Sequence, residues 1–490
     1  MDPVSVSVIA LFLLFGCALG TITGLVPGIH VNTLATMMLT SYPVMRDVLG
    51  PLIQEDLVPI AVCGVIMSAS VVHSFLDFVP SVFIGAPDAE DALSVLPGHK
   101  LLLEGHGMTA VRAAAVGSLI GCSAAIVLAI PLQYVMLNGA AEILNGMTWY
   151  VLVAISGLLM INEYRKRTLV PGITAFILAG VLGYAVMNLP IPSGGILGEG
   201  TLLMPLLTGL FGLPVLLESD GGHQFPEQTD DGRDPVGPVP GLKGVIMGTV
   251  AGWFPGITST VGATVSSTVM PDRSPERFIS TVASIGTVTT VLSLVTLSVS
   301  GGGRSGTVIV IGQILGESIG GFASVPFTMM LLSAAVSSVI GYVLMIKAGR
   351  VMAGAITRVD QKMLAHFVII FLLALTVLTT GVWGLAISAM ALTIGYIPVR
   401  TGCGRTMLCG CLILPCLLRF PLGFRFGKEL LGIDDEPLVC PRADLPYGIV
   451  DPDREHQPAP VHLYKLRLAH DGHADRRGCA VGDVQMGPHG

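Results

Sequence analysis

Charge is scarce in this sequence: Asp, Glu, Lys and Arg make up 12% of its 490 residues, about half the share of a soluble domain. A chain so poor in charge cannot cover a water-facing surface of its own size. Aromatic residues are also scarce, at 6%, and the formal net charge is −7. Both count against a nucleic-acid partner, which calls for basic patches and stacking rings. No basic residue precedes the apolar stretch 4–26, which follows Asp2. A cleaved leader needs such a positive region, so this stretch reads as a retained first membrane segment, despite the LFGC box ending at Cys17. No C-x-x-C pair occurs either. Cys403, Cys409, Cys411 and Cys416 cluster in an apolar stretch and read as reduced, buried thiols. His456, His462, His470, His473 and Cys479 lack the tight spacing of a metal site.

Apolar residues fill the space that charge leaves. They reach 52% of the chain, mean hydropathy is +0.76, and 61 glycines and 32 prolines accompany them. Lipid accommodates that much apolar surface, and small residues let membrane helices approach closely. Stretches able to cross or enter a bilayer fall at about 4–26, 57–84, 110–137, 148–162, 169–189 and 201–217. They resume at about 243–262, 280–299, 324–346, 364–380, 382–398 and 407–420. The expected class is an all-α, multi-pass protein of the cell membrane, some of whose segments are broken or re-entrant. Residues 1–217 form a first membrane unit, 218–241 a polar linker, 242–420 a second unit and 421–490 a polar soluble tail.

The two units resemble each other. GTITGLVPGI at 20–29 recurs as GTVAGWFPGI at 248–257, AAVGSLIG at 114–121 as AAVSSVIG at 334–341, and LTGLFGLPVLL at 207–217 as LCGCLILPCLL at 408–418. Three matches in the same order indicate a duplication of five to six membrane segments. Basic residues set its orientation, because they favour the cytoplasmic side. Residues 138–147 carry none, but their counterpart 347–362 holds Lys347, Arg350, Arg358 and Lys362. Conversely, Arg165, Lys166 and Arg167 have no basic counterpart near 380–382. Corresponding loops thus face opposite sides, as in an inverted repeat, the architecture of alternating-access transporters.

The repeated Gly-x-x-Pro-Gly break is the first candidate site. Gly24, Pro27 and Gly28 in one unit, and Gly252, Pro255 and Gly256 in the other, interrupt a helix. The freed backbone groups must then be buried in protein or line a wet cavity. His30, Asn32 and Thr33 follow the first break, and Thr258, Ser259 and Thr260 the second. A helix restarting there aims its amides at an anion, and the side-chain oxygens suit an anion's hydroxyls or a cation. The competing explanation is a packing kink whose hydroxyls bond back to the preceding turn. A second element carries Asp88, Glu90 and Asp91 in GAPDAEDALSVLPGHK, with Arg304 and Ser305 in SGGGRSGT opposite it in the other unit. An acid there can hold a coupling Na⁺ or H⁺, and a guanidinium can hold a carboxylate in two-pronged fashion. Solvated loops are the plainer account of both. His73, in an apolar stretch, is either a proton relay or a packed core residue.

Three features together carry a family resemblance: the repeated G-x-x-x-G-x-x-P-G, the segment GAPDAEDALSVLPGHKLLLEGHG and the GLFGLP near 209–214. Over residues 1–420 the chain resembles the large permease subunit of tripartite tricarboxylate transporters, the TctA family, and within it archaeal members. The resemblance implies a secondary carrier of small di- or tricarboxylates, driven by a Na⁺ or H⁺ gradient, with no cofactor and no enzymatic activity. It also implies partners: a small membrane subunit and an extracytoplasmic binding protein. A homo-oligomer is a separate expectation. Glu90 and Asp91 stand where the family usually has small hydroxyl residues, which counts against citrate-like trianions. Two other classes stay open at this stage. GRSG at 303–306 matches an intramembrane serine protease pattern, with Ser305 as nucleophile and His366 as base. A channel or membrane scaffold is the third: a scaffold gives no reason for polar residues after both helix breaks, and a channel would show flux that fails to saturate.

Overall fold

The computed structural model describes residues 3–26, 30–85, 95–195, 198–199, 202–218, 225–269, 274–303, 305–358 and 360–419. Asp88, Glu90, Asp91, Pro27, Gly28, Arg304 and the polar tail lie outside the described residues. Among the described residues the regular structure is helical, apart from a two-residue ladder pairing Gly194–Gly195 with Gly198–Glu199. The first unit holds α1 (Pro3–Leu25), α2 (Val31–Leu49), α3 (Val58–Leu76), α4 (Phe78–Phe83), α5 (Val95–Leu103), α6 (Gly107–Val135), α7 (Ala141–Arg165), α8 (Leu169–Asn188), α9 (Leu203–Leu207) and α10 (Leu213–Glu218). The second holds α11 (Pro238–Trp253), α12 (Ser259–Val269), α13 (Pro275–Ser300), α14 (Gly306–Leu315), α15 (Val325–Ile356), α16 (Gln361–Thr401) and α17 (Gly410–Arg419). Seven helices among the described residues are long and apolar enough to cross a bilayer. The chain is an all-α polytopic membrane protein.

Several segments differ from the sequence expectation. The stretch 243–262 is divided by a turn at 254–258 into α11 and α12. Residues 31–49 and 306–315, outside the expected segments, are the helices α2 and α14. Both are short or polar at one end, so a search for twenty consecutive apolar residues passes over them. Stretches 364–380 and 382–398 join into α16, bent at Gly381 (φ 67°, ψ −157°).

Burial separates centre from rim. The most apolar windows of α3 and α13 are 89% and 83% buried, against 28% for α1 and α16. The central pair buries small and hydroxyl residues among its Val, Ile and Leu, whereas the rim helices expose Leu11, Leu14, Phe367 and Ile370. Where lipid is the solvent, apolar outside and small inside is the stable arrangement.

A glycine zipper seats the first rim helix on the centre. Gly16 abuts Val65 and Ser68, Gly20 abuts Ala69, and Gly24 abuts His73 and Leu76, so α1 and α3 run parallel. A methyl group on Gly20 would lie 2.5 Å from the Ala69 carbonyl oxygen, closer than any real contact. The second unit repeats this contact by contact. Gly244 abuts Thr281 and Ser284, Gly248 abuts Ile285 and Val288, and Gly252 abuts Thr289 and Leu292. Each glycine stands 228 residues, and each shared partner 216 residues, after its counterpart.

The counterpart helices α6 and α15 run antiparallel. Gly349, late in α15, meets Met108 and Val111 at the start of α6. At the other end buried Gln133 of α6 donates to the Gly321 carbonyl (3.0 Å) and accepts from the Ala323 amide (2.9 Å), just ahead of α15.

The described part of the linker is tied down rather than free. Asp230 accepts from Arg112 of α6 (2.5 and 3.0 Å) and from Arg350 of α15 (3.0 Å), so one carboxylate clasps both units. Gln228 accepts from the Gly107 amide (2.8 Å) beside it. The Arg112 guanidinium, aided by Arg350 and the Gly232 amide, holds the Asp230 carboxyl well below the ordinary carboxylate range. A lowered value in the folded state stabilises above the unfolded pKa, near 4, and is lost as pH falls through the folded one. Asp230→Asn is therefore expected to lower stability by about 1 kcal/mol, constant from pH 5 upward, with the gap closing only in stronger acid. Thermal unfolding of both proteins across pH measures this.

Candidate functional site

Two helix starts, one from each unit, meet above the crossing of α3 and α13. Polar side chains at the head of each helix stop it there. His30, with extended backbone (φ −82°, ψ 144°), caps α2: its Nδ1 accepts from the Asn32 amide at 3.2 Å. Ser305 (φ −124°, ψ 157°) caps α14 by accepting from the Val308 amide at 3.4 Å, and it bonds Thr307 at 2.9 Å. The two ends are stitched together by Asn32, whose Oδ1 accepts from the Thr307 amide at 3.0 Å. The side chain of Asn32 lies against Gly306, 2.8 Å from where a Cβ would stand, so only glycine fits there.

Below the stitch lies a cavity of about 30 Å³, room for about two water molecules. Its walls are His30 and Asn32 of the first helix start, Ser305 and Thr307 of the second, Ser70, His73, Ser74 and Asp77 of α3, and Gly286 and Thr290 of α13. Ser74 and Thr290 touch each other at 3.3 Å. They are counterparts by the 216-residue offset, as are Ser70 and Gly286. The cavity therefore sits where equivalent surfaces of the two units face. The His73 ring is fixed by Thr23 of α1 (Nδ1 to Oγ1, 3.1 Å) and stands 5.1 Å from the His30 ring, centre to centre. Two helix N-termini give this pocket a positive end, and hydroxyl, amide, imidazole and carboxylate groups give it donors and acceptors.

The structure brings together His30, Asn32 and Ser305 of the sequence candidates. Gly24 and Gly252 belong to the zippers. Thr33 is exposed and does not line the cavity. Thr258, Ser259 and Thr260 stand elsewhere: Thr258 caps α12 by accepting from the Val261 amide (3.3 Å), and Ser259 and Thr260 are buried. Pro255 lies in the turn before them, and Gly256 (φ 80°) packs beside Leu412 and Cys416 of α17. The residues after the first break thus meet α14 rather than those after the second break. His366, the base invoked for a protease, is exposed on α16 and bonds the Lys362 carbonyl (2.7 Å), while the Ser305 hydroxyl bonds Thr307. Sequence reasoning overlooked Ser70, Ser74, Asp77, Gly286, Thr290 and Thr307. The first three, with His73, follow the i, i+3, i+4, i+7 spacing that gathers residues on one helix face, and that polar stripe in an apolar run was the available signal.

The model of the tripartite tricarboxylate transporter TctA family matches residues 10–410. The chain belongs to the TctA family. That range includes both zippers, both helix starts and every cavity residue. The TctA chain is also similar to an uncharacterized protein of Methanocaldococcus jannaschii, 26% identical over 421 residues, covering 84% of this chain and 99% of the relative. No solved structure matches it. As a TctA member the chain is a membrane transporter.

Proposed function

We propose that this TctA protein is a secondary carrier of a small organic anion, a di- or tricarboxylate, working by alternating access across the cell membrane with a Na⁺ or H⁺ gradient as the driving force. The observation that carries the reading is the meeting of the α2 and α14 starts over the α3–α13 crossing. A carboxylate seated there receives amide donors from one helix of each unit, so binding strengthens the contact between units. The repeated zippers and antiparallel α6 and α15 support two units of opposite orientation that exchange roles. Basic residues near the start of α6 and the end of α15 (Arg112, Lys347 and Arg350) mark that end as cytoplasmic. Both tips then enter from the opposite side. The cavity, about 30 Å³, is too small for a dicarboxylate, and in this reading the tips part to admit the anion. A small membrane subunit and an extracytoplasmic binding protein belong to the same reading as partners.

Uptake of labelled di- and tricarboxylates into proteoliposomes, with imposed Na⁺ or pH gradients, tests it. Saturable uptake driven by one gradient is expected. If none of the carboxylates moves under any gradient, the substrate class is wrong. Uptake that never saturates points instead to a channel.

A further inference from the structure

The titratable side chains of the cavity wall, among the described residues, are His30, His73 and Asp77, and all three come from the first unit. Their counterparts are Thr258, Thr289 and Ser293, so the second unit builds the same frame from hydroxyls alone. The frame itself does not need ionisable groups, and placing three of them in the middle of a membrane is costly. An unequal addition to an otherwise matched frame calls for a task that only one unit performs.

The hydrogen bonds point to that task. A backbone N–H can only donate, so the Nδ1 of His30 that caps Asn32 carries no proton, and the neutral ring keeps its proton on Nε2. A second proton must add to that Nδ1 lone pair. The resulting imidazolium has no acceptor left, so it releases the Asn32 amide, and with it the start of α2. Asn32 is the residue that holds the Thr307 amide of α14. One protonation therefore loosens the joint between the two units. We infer that His30 is the proton-sensing cap of this carrier, with His73 and Asp77 as the relay that delivers and removes the proton, so that anion movement is coupled to H⁺.

His73 is held in place by Thr23, 5.1 Å from His30. Two imidazoles that close repel when both are charged. Asp77 stands one turn further along the same helix and lines the same cavity. α1 presents Thr23, α13 presents Gly286 and Thr290, and α14 presents Thr307. α15 meets α3 at Gly341 beside Phe75, and its charges begin at Lys347, more than a turn beyond. Arg304 lies outside the described residues.

The inference rests on the carrier reading, and the test separates the two. The full chain is reconstituted in vesicles loaded with a pH-sensitive dye, and labelled malate, succinate and citrate are offered under a pH gradient or a Na⁺ gradient. The wild type is expected to acidify the lumen in step with carboxylate uptake, with no need of Na⁺. In His30→Asn the new side chain still caps the helix but cannot titrate. It is expected to lose lumen acidification and the pH dependence of whatever uptake remains. Asp77→Asn is expected to shift the pH profile, and this decides the matter should His30→Asn fail to fold. Uptake driven by Na⁺ without acidification overturns the proton inference and leaves the carrier standing, as does acidification that persists in a folded His30→Asn. If the wild type moves none of the three carboxylates, both fall.

Discussion

Asn32→Asp is expected to leave the fold intact while lowering carboxylate uptake by about 100-fold. The replacement has the same shape and keeps the oxygen that accepts the Thr307 amide at 3.0 Å. A carboxylate beside two helix starts is also favoured by their dipoles, by about 0.3–1 kcal/mol. Stability should therefore hold, with the thermal midpoint moving by no more than about 3 °C. The new charge sits where the anion is to bind, and like charges brought together cost several kcal/mol. Equilibrium binding and uptake measured beside thermal unfolding distinguish the causes. A folded Asn32→Asp protein that still transports within about tenfold of wild type removes the helix starts as the anion's address.

Gly20→Val and Gly248→Val form the second test, aimed at the frame rather than the site. At each position the opposing helix lies against the glycine: Ala69 at 2.5 Å in one unit and Val288 at 2.6 Å in the other. Added methyls must push the helices apart, at about 1–3 kcal/mol each. Because the contacts repeat, the two losses should match. Gly354→Val, with nothing within 4 Å of the new Cβ, should change stability by less than about 0.5 kcal/mol. Unfolding in detergent, followed by fluorescence or calorimetry, gives all three values. A large loss at Gly20 with none at Gly248 would mean that the two units are not held together by equivalent packing.

The amino-acid order alone determined a good deal. Low charge and long apolar runs fix the membrane class, since no water-facing surface can be made from them. The Gly-x-x-Pro-Gly pairs fix where helices break, because proline cannot continue the hydrogen-bond ladder. Glycines spaced by four in both units fix which helix faces come closest. These are local consequences, written in a few neighbouring residues. What met what was decided only by the tertiary structure. The first break joins Ser305 and Thr307 of α14, not Thr258, Ser259 and Thr260, because the α3–α13 crossing brings those two tips together and seats the second break against α12 and α17. Nothing near His30 in sequence specifies a partner 275 residues away. Likewise Ser74 and Thr290 are ordinary hydroxyls in their own helices, bonded to carbonyls one turn back. They become a shared wall only when two like surfaces are turned to face each other; the polar stripe on α3 marks a face, but which face it meets is a property of packing, which acts between segments.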